Sequence, residues 1–223
     1  MRDLRRQLDD IPGGTLRDQI IAKLALVSQL LHQQPKGGDK IYALHEPEVD
    51  CISKGKARVR YEFGCKVSVA TTLDEGFVVG MRSFPGNPYD GHTLRDALGQ
   101  VEILTDQRPE LAVVDRGYRG HDESKTRVLI SGTRRGLTAK EIIDLRRRSA
   151  IEAEIGHMKT DGRLSRCSLK GAVGDAVFAA LNACGHNIRK IPAHLRAWLA
   201  WIVAVLGTAE IPQNRPYLTA DAA

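Results

Sequence analysis

The sequence predicts an α/β fold, a mixed sheet with flanking helices, and three patterns carry that prediction. Val59, Tyr61, Phe63, Cys65, Val67 and Val69 alternate with Arg58, Arg60, Glu62, Lys66 and Ser68, the period of a strand with one buried face. Leu111-Ala112-Val113-Val114 is a short uninterrupted apolar run ending at Asp115 and Gly117, as expected of a strand covered on both faces. Apolar residues at helical spacing precede and follow that run.

Taken in order, Thr15-Leu16-Arg17-Asp18 has the form of a capping box. Leu16, Ile20, Leu24, Val27 and Leu31 then mark an amphipathic helix that ends at the breaker Pro35-Lys36-Gly37-Gly38. Its apolar stripe needs a partner surface. The alternating strand from Val59 turns at Leu73-Asp74-Glu75-Gly76 into a second strand, residues 77 to 84, so the two read as an antiparallel hairpin. Residues 92 to 105 fit a helix, and Arg127-Val128-Leu129-Ile130 is a further short strand. A capping box at Thr138-Ala139-Lys140-Glu141 opens one helical stretch to about Asp161. Two apolar helices, residues 171 to 185 and 192 to 207, complete the ordered part, and residues 213 to 223 read as a frayed tail.

The 223 residues suit one domain with an appendage, and 42% hydrophobic content is enough for a real core. The first thirty residues lack an uninterrupted apolar region, so no secretory signal is read and a cytoplasmic location is expected. The most apolar stretch, residues 197 to 207, is well short of the roughly 20 residues that span a bilayer, which favours a buried or interfacial helix and no membrane partner. Cys51, Cys65, Cys167 and Cys184 form no metal-ligand spacing and read as reduced structural thiols. Thirty-three Lys and Arg against twenty-seven acids give a net charge of +6. Arg134, Arg135, Arg146, Arg147, Arg148, Lys159, Arg163, Arg166 and Lys170 concentrate it in one region, as either a solvated face or a surface for nucleic acid.

Two features carry chemistry. Asp115 lies in Asp115-Arg116-Gly117-Tyr118, where the glycine permits a tight turn at the carboxyl end of a buried strand. It reads equally as an active-site carboxylate or as a cap of the next turn. On the later helix, Arg148, Glu152 and Lys159 are four and seven residues apart and share one stripe, beside an apolar stripe of Ile151, Ile155 and Met158. A carboxylate between two cations can stay ionised, bind a divalent metal and leave the cations for phosphate oxygens. The plain alternative is an exposed helix with i,i+4 ion pairs.

The order hairpin, helix, strand ending in Asp, strand and helix bearing Glu resembles the ribonuclease-H-like catalytic domain of DDE transposases from bacterial insertion sequences, with its first, central strand absent. That family's Y-x2-R-x3-E-x6-K motif matches at Arg148, Glu152 and Lys159, with Leu145 at the tyrosine position. Further blocks resemble the family: residues 40 to 48, 86 to 93, 114 to 118, 155 to 159 and 185 to 189. The resemblance divides the chain into a helical lead-in at 1–38, a partial catalytic domain at 39–190, and a carboxyl-terminal helix and tail at 191–223. It implies Asp115 and Glu152 as catalytic residues and ligands of Mg²⁺ or Mn²⁺, with Arg148, Lys159 and Arg163 on DNA and His157 and Asp161 as lesser candidates. Asp90 and His92 fall in a matching block, where helix capping is an equal reading.

The resemblance also implies a carboxyl-terminal part of a longer protein, with the first catalytic Asp upstream of these residues. Asp50 or Glu48 are weakly supported stand-ins, because Cys51 to Lys56 reads as a loop. Loss of a central strand would expose two strand edges. The chain is then expected to be oligomeric or poorly soluble, or to be rescued by a substitute strand such as residues 40 to 44. The expected function is DNA transposition, by metal-dependent DNA cleavage and strand transfer, with little or no activity in this chain alone. The expected partners are DNA, further copies and full-length transposase. The alternatives are a catalytically dead DNA-binding or dimerising remnant that modulates the full-length enzyme, and an unrelated basic α/β binding protein.

Overall fold

The computed structural model describes residues 2–38, 40–53, 60–133 and 135–207. Arg134 of the basic cluster, the start of the alternating run at Arg58 and Val59, and the expected tail lie outside these residues. The chain divides into two compact units, Met1–His186 and Asn187–Ala223.

The first unit opens with helices α1 (Arg2–Leu8) and α2 (Thr15–His32). The expected Thr15 capping box does not form: the helix is capped at Gly14, whose carbonyl accepts from the Asp18 amide at 3.1 Å. The α2 stripe buries no residue fully, and Leu16 and Leu31 are exposed.

The α/β class holds, but the described strands form three pairs in place of one continuous sheet. Strand β1 (Asp50–Ser53) pairs antiparallel with β2 (Tyr61–Gly64), and β3 (Lys66–Thr71) pairs antiparallel with β4 (Val78–Phe84). Strand β5 (Leu111–Val114) pairs parallel with β6 (Arg127–Ile130). The hairpin around Leu73 to Gly76 is therefore β3–β4, as the alternation predicts.

The single strand expected from Val59 to Val69 is cut at Gly64, whose φ of 150° is open to glycine and strained for other residues. Val67 and Val69 stay on the core, whereas Tyr61 and Phe63 are exposed and follow β1. The segment read as a loop after Asp50 begins as strand β1, because Cys51 and Ile52 find partners in Phe63 and Glu62. Residues 40 and 41 to 44 form no strand, so that substitute edge is not made.

Helix α3 (Asp90–Thr105) buries Leu94, Ala97, Leu98 and Val101 and packs on β4 and β3. Gly80 permits the approach, since a Cβ there would stand 2.8 Å from Val101 Cγ2. The helix expected from residue 138 to 161 is two helices, α4 (Ala139–Arg147) and α5 (Ala150–Thr160). The capping box at Thr138 and Glu141 forms as read. The break comes where Ile151 and Glu152 take the carbonyls of Arg148 and Ser149, at 3.2 and 3.1 Å, a tighter i→i−3 turn. Ser149 Oγ also donates to the Arg146 carbonyl at 3.0 Å.

The apolar stripe of α5 does what its spacing predicts. Met158 is fully buried among Val78, Met81 and Ala179, with Ile155, Val67, Val69 and Leu164 packed around it. His186, also buried, donates from Nε2 to the Gly76 carbonyl at 3.2 Å and meets Glu154 Oε2 at 3.3 Å, fastening the β3–β4 turn to α5.

Helix α6 runs from Gly171 to Gly207 without the expected interruption, since Pro192 removes a single backbone donor and lies inside it. In the second unit most of its described apolar side chains are exposed, Trp198 and Trp201 among them. Among the described residues no helix is long and apolar enough to cross a membrane.

Candidate active site

Strand β5 delivers Asp115 to its carboxyl end, followed by a 3-10 turn, Arg116–Tyr118. The turn-capping reading of Asp115 is met. Its Oδ1 accepts from the Gly117 amide at 2.8 Å, capping the turn, while the carboxylate stays exposed.

Glycine leaves room for both carboxylates there, because a Cβ would lie 2.6 Å from Asp90 Oδ2 and 3.0 Å from Asp115 Oδ1 and one of them would have to shift. Two carboxylates therefore converge on one backbone position. Asp90, the first residue of α3, does not cap that helix with its side chain. The N-cap is Tyr89, and the Asp90 carboxylate pairs with Lys66 Nζ of β3 at 2.9 Å. His92 packs edge-on against Tyr89, with ring centroids 5.6 Å apart.

Tyr118 completes this corner. Burial pushes its phenol above the usual range, and the charges of Asp90 and Asp115 push the same way, while hydrogen bonds with Ser68 and Thr93 oppose them. The ring thus ties β3, α3 and the Asp115 turn together. Lys66 and Tyr118, which the sequence did not single out as site candidates, stand beside Asp90 at this corner. Asp90 and Tyr118 both lay in blocks that sequence reasoning had singled out, so the signal was present without its geometry.

Glu152 sits in the first turn of α5, exposed, and accepts from Arg148 Nη2 at 3.1 Å. Arg148, at the break between α4 and α5, is mostly covered. Lys159 and Arg166 line a groove of about 760 Å³ that runs from β1 and β2 past Lys66, Val67 and Val69 to Ile155 and Phe178. His157 Nδ1 and Asp161 Oδ2 meet at 3.3 Å, and Arg163 is exposed with φ 57°. Arg147 of the same basic region pairs with Asp74.

The structure joins Asp115 with Asp90, and Glu152 with Arg148. Neither Asp115 nor Glu152 lines the groove that Lys159 lines. Asp50, one possible stand-in ligand, is engaged elsewhere and accepts from the Gly86 amide at 2.8 Å. Glu48 lies near Gly171 and lines a small pocket with Cys65 and Asp175.

Carboxylate oxygens on Asp115 and Glu152 are the hard donors that Mg²⁺ and Mn²⁺ prefer. Among the described residues no group of three or more His, Cys, Asp or Glu could hold a metal ion. The donor chemistry therefore suits such an ion, while the described residues do not gather a complete ligand set.

Residues 31–188 match the family model of the transposase DDE domain, a span that includes Asp115, Arg148, Glu152, Lys159 and Arg163. Neither the search of curated proteins nor that of solved structures gives a match.

Proposed function

Because the chain belongs to the transposase DDE domain family, whose activity is DNA transposition, we propose that Asp115 and Glu152 supply two of the three carboxylates for metal-dependent DNA cleavage and strand transfer. The observation that carries this reading is the exposed carboxylate of Asp115 at the carboxyl end of a parallel strand pair, within the matched span. When bound, Mg²⁺ or Mn²⁺ supplies the Lewis acidity that activates water or a DNA 3′-hydroxyl and offsets charge on the leaving oxygen.

The chain's own residues have the other tasks. Gly117 fixes one oxygen of Asp115 and leaves the other open. Arg148 orients Glu152 through its 3.1 Å contact until a stronger cation competes for it. Lys159 as a point charge and Arg163 as a planar fork, exposed on and just after α5, bind backbone phosphates and give register without sequence preference.

A third carboxylate comes, in this proposal, from a strand between β3 and β5. The separation of β3–β4 from β5–β6 among the described strands supports that position. The same separation favours a second reading, in which these residues alone bind DNA or pair with another copy or a full-length transposase without cleaving, because open strand edges invite pairing.

Both readings require DNA binding. A labelled duplex should bind with an affinity that falls steeply as salt rises from low to about 0.15 M, by counterion release. Lys159→Glu should weaken binding about tenfold at the upper salt, since a phosphate contact becomes a repulsion. Fluorescence anisotropy measures both, and salt-indifferent binding would remove the electrostatic DNA surface.

A further inference from the structure

The residue after Asp115 points to the other side of β5 and is held there. A Cβ on Gly132, in the turn after β6, would stand 2.8 Å from Arg116 Nε, 2.9 Å from Nη2 and 3.2 Å from Cζ. The Nε and Nη2 edge of the guanidinium thus faces the glycine backbone, in space that a side chain at this position would enter. Gly132 has φ 89°, a conformation that L side chains rarely adopt, so its backbone favours glycine. The carboxylate of Asp115 faces Gly117 and α3, while the guanidinium of Arg116 rests on the turn after β6. Carboxylate and cation therefore flank the end of one strand.

Several other arginines of this unit carry ion pairs. Arg82 pairs with Asp96, Arg95 with Asp122, Arg108 with Glu123, Arg127 with Glu141 and Arg148 with Glu152. Arg116 is exposed, and among the described residues it has neither an acidic partner nor a protein acceptor for its side-chain N–H groups. Its guanidinium is a planar fork of donors that can meet a phosphate with two parallel hydrogen bonds. The location supplies the anion's need for it. Asp90 and Asp115 repel a phosphodiester, and Lys66 answers only the Asp90 charge.

We infer that Arg116 is a phosphate-positioning residue of the Asp115 site, holding a DNA phosphodiester beside the carboxylate from its seat on Gly132. The inference rests on the DNA-acting reading above and adds to it the residue that offsets carboxylate repulsion.

The test uses the whole 223-residue chain and a short labelled duplex of arbitrary sequence, in EDTA, so that no metal or catalysis is involved. Arg116→Ala should bind about tenfold more weakly near 0.1 M salt, and its slope of log affinity against log salt should be shallower by about one. Arg116→Lys should recover the slope and only part of the affinity, because a point charge replaces a planar fork. Gly132→Ala should weaken binding with every charge retained, provided circular dichroism and thermal melting show it folded. If it is not folded, the Lys and Ala variants decide between themselves. Arg116→Ala within twofold of the parent and with the same slope would overturn the inference while leaving DNA binding intact, and so would full recovery of affinity by Arg116→Lys. A parent chain that binds no DNA, or binds it without salt dependence, would defeat the functional reading itself, and the inference with it.

Discussion

Arg108→Ala is expected to cost about 3–5 kcal/mol of folding stability, because it leaves a buried carboxylate without its cation. Glu123 is almost wholly covered, and Arg108 Nη2 meets its Oε2 at 2.5 Å from a largely covered position. Burial alone would raise the Glu123 carboxyl. The amides of Lys125 and Thr126, at 2.6 and 3.0 Å, together with the Arg108 guanidinium, outweigh it and hold the group below the usual carboxylate range. Arg108 Nε also donates to Thr126 Oγ1 at 3.1 Å. The cluster joins the loop before β5 to the loop before β6, so the strand that presents Asp115 depends on it. Urea titration of Arg108→Ala and of the double variant Arg108→Ala, Glu123→Gln checks the cause. The double variant should regain a large part of the loss, since the buried charge is gone. A single-variant loss below about 1 kcal/mol would place this pair among ordinary surface bridges.

Met158→Ala should cost about 2–5 kcal/mol by emptying a fully enclosed site between α5, the β3–β4 hairpin and α6. The spread reflects how far Val67, Val69 and Ile155 can collapse into the space. Loss of this contact frees the helix that carries Glu152 while leaving the β5–β6 pair untouched. Hydrogen exchange should therefore rise in α5 before it rises in β5. Uniform acceleration across both would contradict the division of labour between the two halves of the site.

Much of this arrangement could be read from local pattern. The uninterrupted run to Asp115 gave the strand end, and the two stripes of α5 correctly separated Met158 and Ile155 from exposed Glu152 and Lys159. The Thr138 capping box formed because the longer Glu141 side chain reaches back to the Thr138 amide, whereas Asp18 at the same spacing from Thr15 made no such bond. Other features depended on contacts that no short window contains. Gly64 looks like one more member of an alternating strand until β1 claims Tyr61 and Phe63. Ser149 lies within an unbroken helical pattern until its hydroxyl and the i→i−3 bonds after it divide α4 from α5. Pro192 gave the opposite error, for a helix stops at proline only when nothing else sustains it. The contacts of Asp90 with Lys66 and of Arg116 with Gly132 join distant segments, and the residue types alone do not announce them.

The central claim is that Asp115 and Glu152 share a divalent ion, and affinity cleavage measures this most directly. Fe²⁺ replaces Mg²⁺, ascorbate and peroxide generate hydroxyl radicals at the bound iron, and mass spectrometry locates the backbone cuts. The account predicts cuts close to both Asp115 and Glu152, suppressed by excess Mg²⁺ and lost together in Asp115→Ala. Cuts confined to one of the two positions, or a pattern unchanged in Asp115→Ala, would contradict it.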